Sequence, residues 1–254
     1  MGKLLDGLHA LITGGGSGIG AAAADALAAE GARLSLLGRR MEPLEEVAGR
    51  TGGRAVQCDV TEAGAIERAF AEARTANGPI DILIVNDGIA ESAPFHKMER
   101  AAWDRIIATN LTAAFECSRA GIADLLASKS GRLVFVASVA SLRGIPYAAH
   151  YGASKHGLLG LSRSLAAEYA KTNLTVNAIC PGYVDTPMTD QSIARVQQLT
   201  GRSDTESRAA ITNMNASGRL VDPTAIAALI LTVCLPLSRD INGAALTIDG
   251  GTSA

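Results

Sequence analysis

From residue 8 to about residue 178 short apolar runs alternate with helix-patterned stretches, and this rhythm limits the folds open to the chain more than any other feature. The runs are Ala10-Leu11-Ile12, Leu34-Ser35-Leu36-Leu37, Ala55-Val56, Ile82-Leu83-Ile84-Val85, Leu133-Val134-Phe135-Val136 and Thr175-Val176-Asn177-Ala178-Ile179. Such runs suit strands buried on both faces, and the helices between them make repeated βαβ units of a parallel sheet. A seventh strand is expected at Ala244-Ala245-Leu246-Thr247-Ile248, after a helix that starts near Asp222-Pro223 with an acidic N-cap and a first-turn proline. With 254 residues and no compositional break, the expectation is one α/β domain over 1–254. Aromatics make up 4% against 48% hydrophobic residues, so the core must be built from Ala, Val, Ile and Leu.

Residues 188–217 break the rhythm: they are polar and helix-prone, contain Thr200-Gly201-Arg202 and offer no strand. Ligands of an open α/β sheet bind beyond the carboxyl ends of the strands, so an insertion after the sixth strand is placed to form a substrate lid. A surface excursion or a subunit contact is the other reading of the same segment.

The formal net charge of -2 leaves no basic field for nucleic acid or an anionic membrane, and neither partner is expected. The amino terminus lacks a signal peptide's apolar core and no apolar run reaches the ~20 residues of a membrane span, so a cytoplasmic protein is expected. Asp6 stands where a myristoylation start wants Ser or Thr. Cys58, Cys117, Cys180 and Cys234 are far apart, so reduced, buried thiols are expected and neither a disulfide nor a metal site is.

Directly after the first run comes Thr13-Gly14-Gly15-Gly16-Ser17-Gly18-Ile19-Gly20, followed by an Ala-rich helix. Glycines let a backbone turn sharply and approach a pyrophosphate, and free amides at a helix start donate to it. Folds that choose NAD carry an acid ~20 residues further on, at the end of the second strand. Here that strand ends Leu37-Gly38-Arg39-Arg40, so nothing repels a 2′-phosphate and a guanidinium is available. NADP(H) is the expected cofactor, with NAD(H) possible. Asp59, after the third strand, is placed to accept from an adenine amino group with Val60 against the ring, although Thr61 competes for the helix-capping role.

Tyr151 and Lys155 lie four residues apart, which a helix stacks on one face, with Ser138 upstream. A phenol exchanging a proton near neutral pH needs its anion favoured, and one cation at ~4 Å in an effective dielectric of ~20 supplies about 4 kcal/mol. That is roughly what lowering a tyrosine pKa from ~10 to ~7 requires. The spacing suggests an acid/base dyad.

Taken together, these motifs resemble the short-chain dehydrogenase/reductase family in its compact subdivision of about 250 residues, from residue 8 to the terminal Asp249-Gly250-Gly251. The resemblance implies a Rossmann-like, doubly wound parallel sheet of seven strands flanked by helices in three αβα layers. It also implies an NAD(P) cofactor, ketone/secondary-alcohol chemistry and a homotetramer. It casts Asn110, Ser138, Tyr151 and Lys155 as the catalytic set, with Tyr151 exchanging the proton, Ser138 donating to the same oxygen, Lys155 favouring the phenolate and holding the nicotinamide ribose, and Asn110 anchoring a relay water. The turn residues Gly14, Gly16, Ser17, Gly18, Ile19 and Gly20, then Asn86, Gly88, Pro181, Gly182, Val184 and Thr186, become cofactor contacts. One departure stands out: the family's Asn-Asn-Ala-Gly reads Val85-Asn86-Asp87-Gly88 here. A carboxylate near a polyanion is expected to weaken cofactor binding, or to hydrogen-bond a ribose hydroxyl and offset the NADP preference.

The expected substrate pocket draws on Val139, Ala140, Leu142 and Ile145, with Tyr183 and Met188 from the far side. His150, a further candidate for the pocket, adjoins Tyr151, but helical neighbours point ~100° apart, so a supporting or surface role is expected for it and not proton transfer. These mostly apolar residues suit a lipophilic ketone or an acyl chain. The family likeness runs to 3-oxoacyl-thioester reductases, 3-hydroxyacyl or 3-hydroxybutyrate dehydrogenases and carbonyl reductases, with a non-catalytic dinucleotide sensor as the remote alternative.

Overall fold

The structure, a computed structural model, describes residues 2–254. Strands β1 (His9–Thr13), β2 (Arg33–Gly38), β3 (Arg54–Gln57), β4 (Ile82–Val85), β5 (Arg132–Val136), β6 (Thr175–Pro181) and β7 (Ala245–Ile248) form one sheet. Its order is β3-β2-β1-β4-β5-β6-β7 and every pairing is parallel. The helices are α1 (Gly18–Ala29), α2 (Met41–Thr51), α3 (Ala65–Asn77), α4 (Arg100–Ile107), α5 (Ala113–Ala127), α6 (Ala149–Glu168), α7 (Pro187–Thr200), α8 (Asp204–Thr212) and α9 (Pro223–Cys234).

Both faces of the sheet are covered, which is why its strands read as continuous apolar runs. Ala10 and Ile12 of β1 and Ile82 and Ile84 of β4 pack toward α1, α2 and α9, while Leu11 and Leu83 pack toward α3, α5 and α6. Ala23, Ala24 and Leu27 bury one flank of α1, and their small side chains let α9 lie close against it. Asp222 caps α9 by accepting from the Thr224 N–H at 2.8 Å, with Pro223 in the first turn, as expected. The strand order reverses between β1 and β4, which opens a crevice at the carboxyl edge.

Two local features depart from the sequence pattern. The stretch holding Trp103, Ile106, Leu111 and Phe115 reads as one helix, but a π-helical turn over Ala108–Thr112 separates α4 from α5. The widened turn leaves Asn110 only 1% exposed, facing inward. Residues after β6 form the helix pair α7–α8, broken at Gly201 in left-handed backbone and restarted by a Ser203–Glu206 capping box. A parallel bridge between Val184 and Val221 closes the stem of this excursion.

Among the described residues no helix is long and apolar enough to cross a membrane, and no His, Cys, Asp or Glu group is arranged to hold a metal ion. The four cysteines are free and buried.

Candidate active site

The glycine-rich turn closes between β1 and α1. Gly14 takes a φ of 63°, in the left-handed region, and a Cβ there would come within 2.8 Å of Asn86 Nδ2. A Cβ on Gly20 would overlap the Gly14 carbonyl. Asn86 braces the turn, donating from Nδ2 to the Thr13 and Gly14 carbonyls at 3.1 and 3.2 Å. Gly16 lies against Pro43 of α2, and Ile19 packs on the adjoining core. Ser17 is the N-cap of α1 but makes no side-chain cap bond, so the first-turn amides stay open to an outside acceptor. This tight, amide-lined turn fits a pyrophosphate.

At the adenosine end Arg39 and Arg40 are exposed where β2 stops. Arg39 lines a cleft of about 560 Å3 with Cys58, Asp59 and Arg68. Arg68 was not singled out from sequence; its signal was its place in the first turn of α3, where it folds back over Gly64. Asp59 Oδ1 accepts from both the N–H and the hydroxyl of Thr61, at 2.9 and 2.7 Å, which holds its carboxyl below the ordinary range. The expected competition thus ends with Asp59 capping its own turn. Val60 is packed against the core beside it. Asp87 follows β4 with its N–H on the Thr13 hydroxyl at 3.2 Å. Its Oδ2 is buried with no partner, and burial pushes the carboxyl up to about 6.

At the other end, β5 and α6 bring three side chains into one corner. Ser138 caps the 3-10 turn at Val139–Ser141, its hydroxyl accepting from the Ala140 N–H at 3.1 Å. The same hydroxyl lies beside the Tyr151 phenol and draws its pKa down, but burial outweighs this and holds the phenol above its ordinary value. Lys155 is 4% exposed, donates to the Val136 carbonyl at 2.9 Å and stands 5.8 Å from the Tyr151 ring. Burial takes its amine down to about 8. The expectation that Lys155 lowers the tyrosine pKa is therefore not met in the chain alone: desolvation acts on both groups and disfavours both charges.

Asn110 holds this corner together. Its Oδ1 accepts from the Ile89 N–H at 2.9 Å, and its Nδ2 donates to the Ile89 carbonyl at 3.0 Å and to Ser154 Oγ at 3.1 Å. The side chain is fully engaged, so it positions the segment after β4 against α6. Gly88 lies where Asn110 and Lys155 meet, since a Cβ there would be 3.6 Å from both.

Pro181 ends β6, and Gly182 passes so close to Asn215 and Asp249 that a Cβ would come within 2.6 Å of Asn215 Oδ1. Buried Asn215, missed from sequence, clamps Tyr183 by accepting from its N–H at 2.9 Å and donating to its carbonyl at 2.8 Å. Nothing in a lone Asn at the end of a polar stretch signals this. Thr186 stands at the N-cap position of α7 without a side-chain cap bond and touches the nucleotide turn, a Cβ on Gly18 lying 3.0 Å from Thr186 Cγ2. Val184 is packed in the core, which leaves only its backbone to meet a cofactor.

Leu142 and Met188 are exposed, and Ile145 is half-buried. Val139, Ala140 and His150 are buried. His150 accepts from the Tyr151 N–H through Nδ1 at 2.9 Å, anchoring the start of α6. Tyr147 was also missed; it is 67% exposed, with φ at 63°, and its carbonyl accepts from the Ala93 N–H.

Residues 8–197 match the short chain dehydrogenase family. The chain belongs to this family. Among its relatives, the 3-oxoacyl-[acyl-carrier-protein] reductase MabA of Mycobacterium tuberculosis is 34% identical over 241 residues, covering 95% of this chain and 91% of that protein. The 2-(S)-hydroxypropyl-CoM dehydrogenase 3 of Xanthobacter autotrophicus is 38% identical over 250 residues, covering 96% and 95%. A crystal structure of an actinorhodin polyketide ketoreductase variant with NADPH superposes with a TM-score of 0.92 at 31% identity, covering 97% of each chain. As a short chain dehydrogenase the protein is an NAD(P)-dependent oxidoreductase that interconverts a ketone and a secondary alcohol.

Proposed function

We propose that the protein is an NADPH-preferring reductase of lipophilic ketones or 3-oxoacyl thioesters, with Tyr151 as proton donor. The observation that carries this reading is the meeting of Ser138, Tyr151 and Lys155 at one corner of the cleft, with the Ser138 hydroxyl acting on the phenol and the buried Lys155 amine 5.8 Å from the ring. A phenol held above its ordinary pKa stays protonated at neutral pH, the form a reductase needs in order to donate. Ser138 then adds a second hydrogen bond to the developing alkoxide. Lys155, already committed to Val136, steadies the phenolate left behind and reaches the cofactor's ribose. Asn110 acts as a positioning residue, its side chain bound to Ile89 and Ser154 from a π-helical turn. The dinucleotide supplies the hydride when bound, held at its pyrophosphate by the turn of Gly14, Gly18 and Gly20.

NADP(H) preference is supported by Gly38 in place of an acid and by Arg39 and Arg68 on one cleft. Asp87 favours the second reading, an NAD-dependent 3-hydroxyacyl or 3-hydroxybutyrate type of dehydrogenase, because an unpartnered carboxyl opposes added negative charge. Purified protein assayed on a panel of ketones, 3-oxoacyl thioesters and secondary alcohols with both cofactors separates these readings. The first expects higher kcat/KM with NADPH and loss of that advantage in Arg39→Ala; equal efficiencies in both proteins would remove the NADP assignment, and cofactor binding without turnover across the panel would favour a sensor.

We assign the α7–α8 pair, within one domain, the role of substrate lid, supported by its place after β6 and its largely exposed surface. A homotetramer is supported by Trp103 and Phe115, exposed on the α4–α5 side, and is checked by light scattering. A cytoplasmic location accords with this cofactor and with four free thiols.

A further inference from the structure

Asp87 stands at the switch point of the sheet, between the end of β4 and the nucleotide turn. A Cβ on Gly14 would lie 3.4 Å from its Oδ1, so the carboxyl borders the backbone that receives the pyrophosphate. Its Oδ2 is buried and has no hydrogen-bond partner. The groups around it offer no ion pair. From β1 the Thr13 hydroxyl lies beside the carboxyl and favours its charged form, from the end of β2 Arg39 acts on it at long range, and from beyond β3 Asp59 opposes its charge. From α5 and the end of β3 the buried thiols of Cys117 and Cys58 face it, both pushed up in pKa partly by its charge. Arg68 of α3 reaches Cys58, and Lys155 of α6 stands beside the next residue, Gly88.

We propose that Asp87 couples dinucleotide binding to proton uptake: the cofactor binds preferentially to the protonated carboxyl, and Asp87 sets how affinity falls as pH rises. The cause is Coulombic. A dinucleotide brings at least two negative charges onto a turn whose neighbour is a carboxylate shielded from water and without a cation in contact. Protonation removes that opposition and gives Oδ2 a donor hydrogen. Because burial already pushes the carboxyl up to about 6, the change falls in an accessible range. Linkage is reciprocal, so a cofactor that raises the Asp87 pKa by about one unit binds about tenfold more tightly to the acid form. The same opposition acts on a 2′-phosphate, which makes Asp87 a counterweight to Arg39 in cofactor choice.

The inference rests on the dinucleotide reading of the cleft, and the test separates the two. NAD+ is the probe, because the 2′-phosphate of NADP+ itself titrates near pH ~6. Titration calorimetry of the full chain near pH 6, in two buffers of different ionisation enthalpy, counts protons taken up. Wild type is expected to take up a fraction of a proton, about 0.3 to 0.5 per site, and to lose roughly three- to tenfold in affinity between pH 5 and 8. Asp87→Asn and Asp87→Ala are expected to show no such uptake and a flat profile; Asp87→Asn preserves the shape should the smaller residue disturb the fold. Equal proton uptake and equal pH dependence in wild type and both variants would overturn the inference alone. Failure of wild type to bind either dinucleotide at any pH would overturn the cleft assignment and the inference with it.

Discussion

At the amino edge of the sheet His9 Nδ1 meets the Gly78 carbonyl at 2.8 Å and Nε2 meets Ser35 Oγ at 2.9 Å, while both oxygens of Asp81 accept, from the His9 N–H and from Ser128. At the carboxyl edge Asp87 keeps one oxygen unpartnered, and Lys155 has a carbonyl but no carboxylate. Both edges bury ionisable groups; they differ in whether those groups are satisfied. Satisfied groups fix strand register and are held in one protonation state, whereas an unsatisfied group is left free to exchange a proton or meet a ligand. The amino edge is not uniformly complete, since buried Arg132 donates to the carbonyls of Gly131 and Leu235 yet leaves Nε without a partner.

If the carboxyl edge is built for proton transfer, removing its donor should abolish activity and spare the fold. Tyr151→Phe is expected to lower kcat for ketone reduction by about 10^3-fold, within the usual 10^2 to 10^4 of general acid catalysis. Dinucleotide affinity and melting temperature should stay near wild type; a variant keeping more than a tenth of the wild-type kcat would break the contrast between the edges. Ser138→Ala follows with about 10^2-fold, the cost of one donor to a developing oxyanion, read in kcat more than in KM. Since Ser138 also caps the 3-10 turn, Ser138→Thr is the companion variant, retaining the hydroxyl and expected to recover part of the rate.

The strands and their parallel pairing were legible because burial on both faces writes itself into sequence as short apolar runs, and β4 was located to the residue at Ile82–Val85. The glycine turn was legible for a similar reason, since sterics at Gly14 and Gly20 tolerate nothing larger. Long-range side-chain bonds left no such trace. Asn110 stood out, but the π-turn that faces it inward did not, because no residue type marks that geometry. Asn215 braces Tyr183 from 32 residues away and looks in sequence like any loop asparagine. The pKa of Tyr151 was misjudged because helical spacing reports proximity and says nothing of desolvation, which dominates for both members of the pair.

Asp87→Ala sharpens the comparison by relieving the carboxyl edge. The folded pKa of about 6 stands above the ordinary 3.8, so the folded state holds this proton more tightly than the unfolded chain. No cost exists below pH ~4, where both states are protonated; it grows as pH rises and is complete above about 6. Two units at about 1.4 kcal/mol each bound it near 3 kcal/mol, and incomplete burial of the residue brings the expectation to about 2 kcal/mol. Urea denaturation should therefore find Asp87→Ala more stable than wild type at pH 7.5 and no better at pH 4. A variant less stable than wild type at pH 7.5 would show the carboxyl to be satisfied after all.

His9→Gln tests the amino edge, with the smallest effect and the opposite slope. Burial holds His9 below its ordinary 6.5, so the neutral ring is the folded form. Its contribution is present above pH 6.5 and is lost as pH falls toward the folded pKa, because the unfolded chain then binds a proton that the folded ring refuses. Glutamine keeps one donor and one acceptor but does not titrate, so the variant is expected to lose about 1 kcal/mol at pH 7.5 and to narrow the gap as the medium is acidified. In the window between pH 4 and 6.5 the His9 term rises with pH and the Asp87 term falls. Relative to wild type, the His9→Gln profile should tilt downward as pH rises and the Asp87→Ala profile upward; if both variants tilt the same way, the two edges of the sheet do not differ as their hydrogen bonds imply.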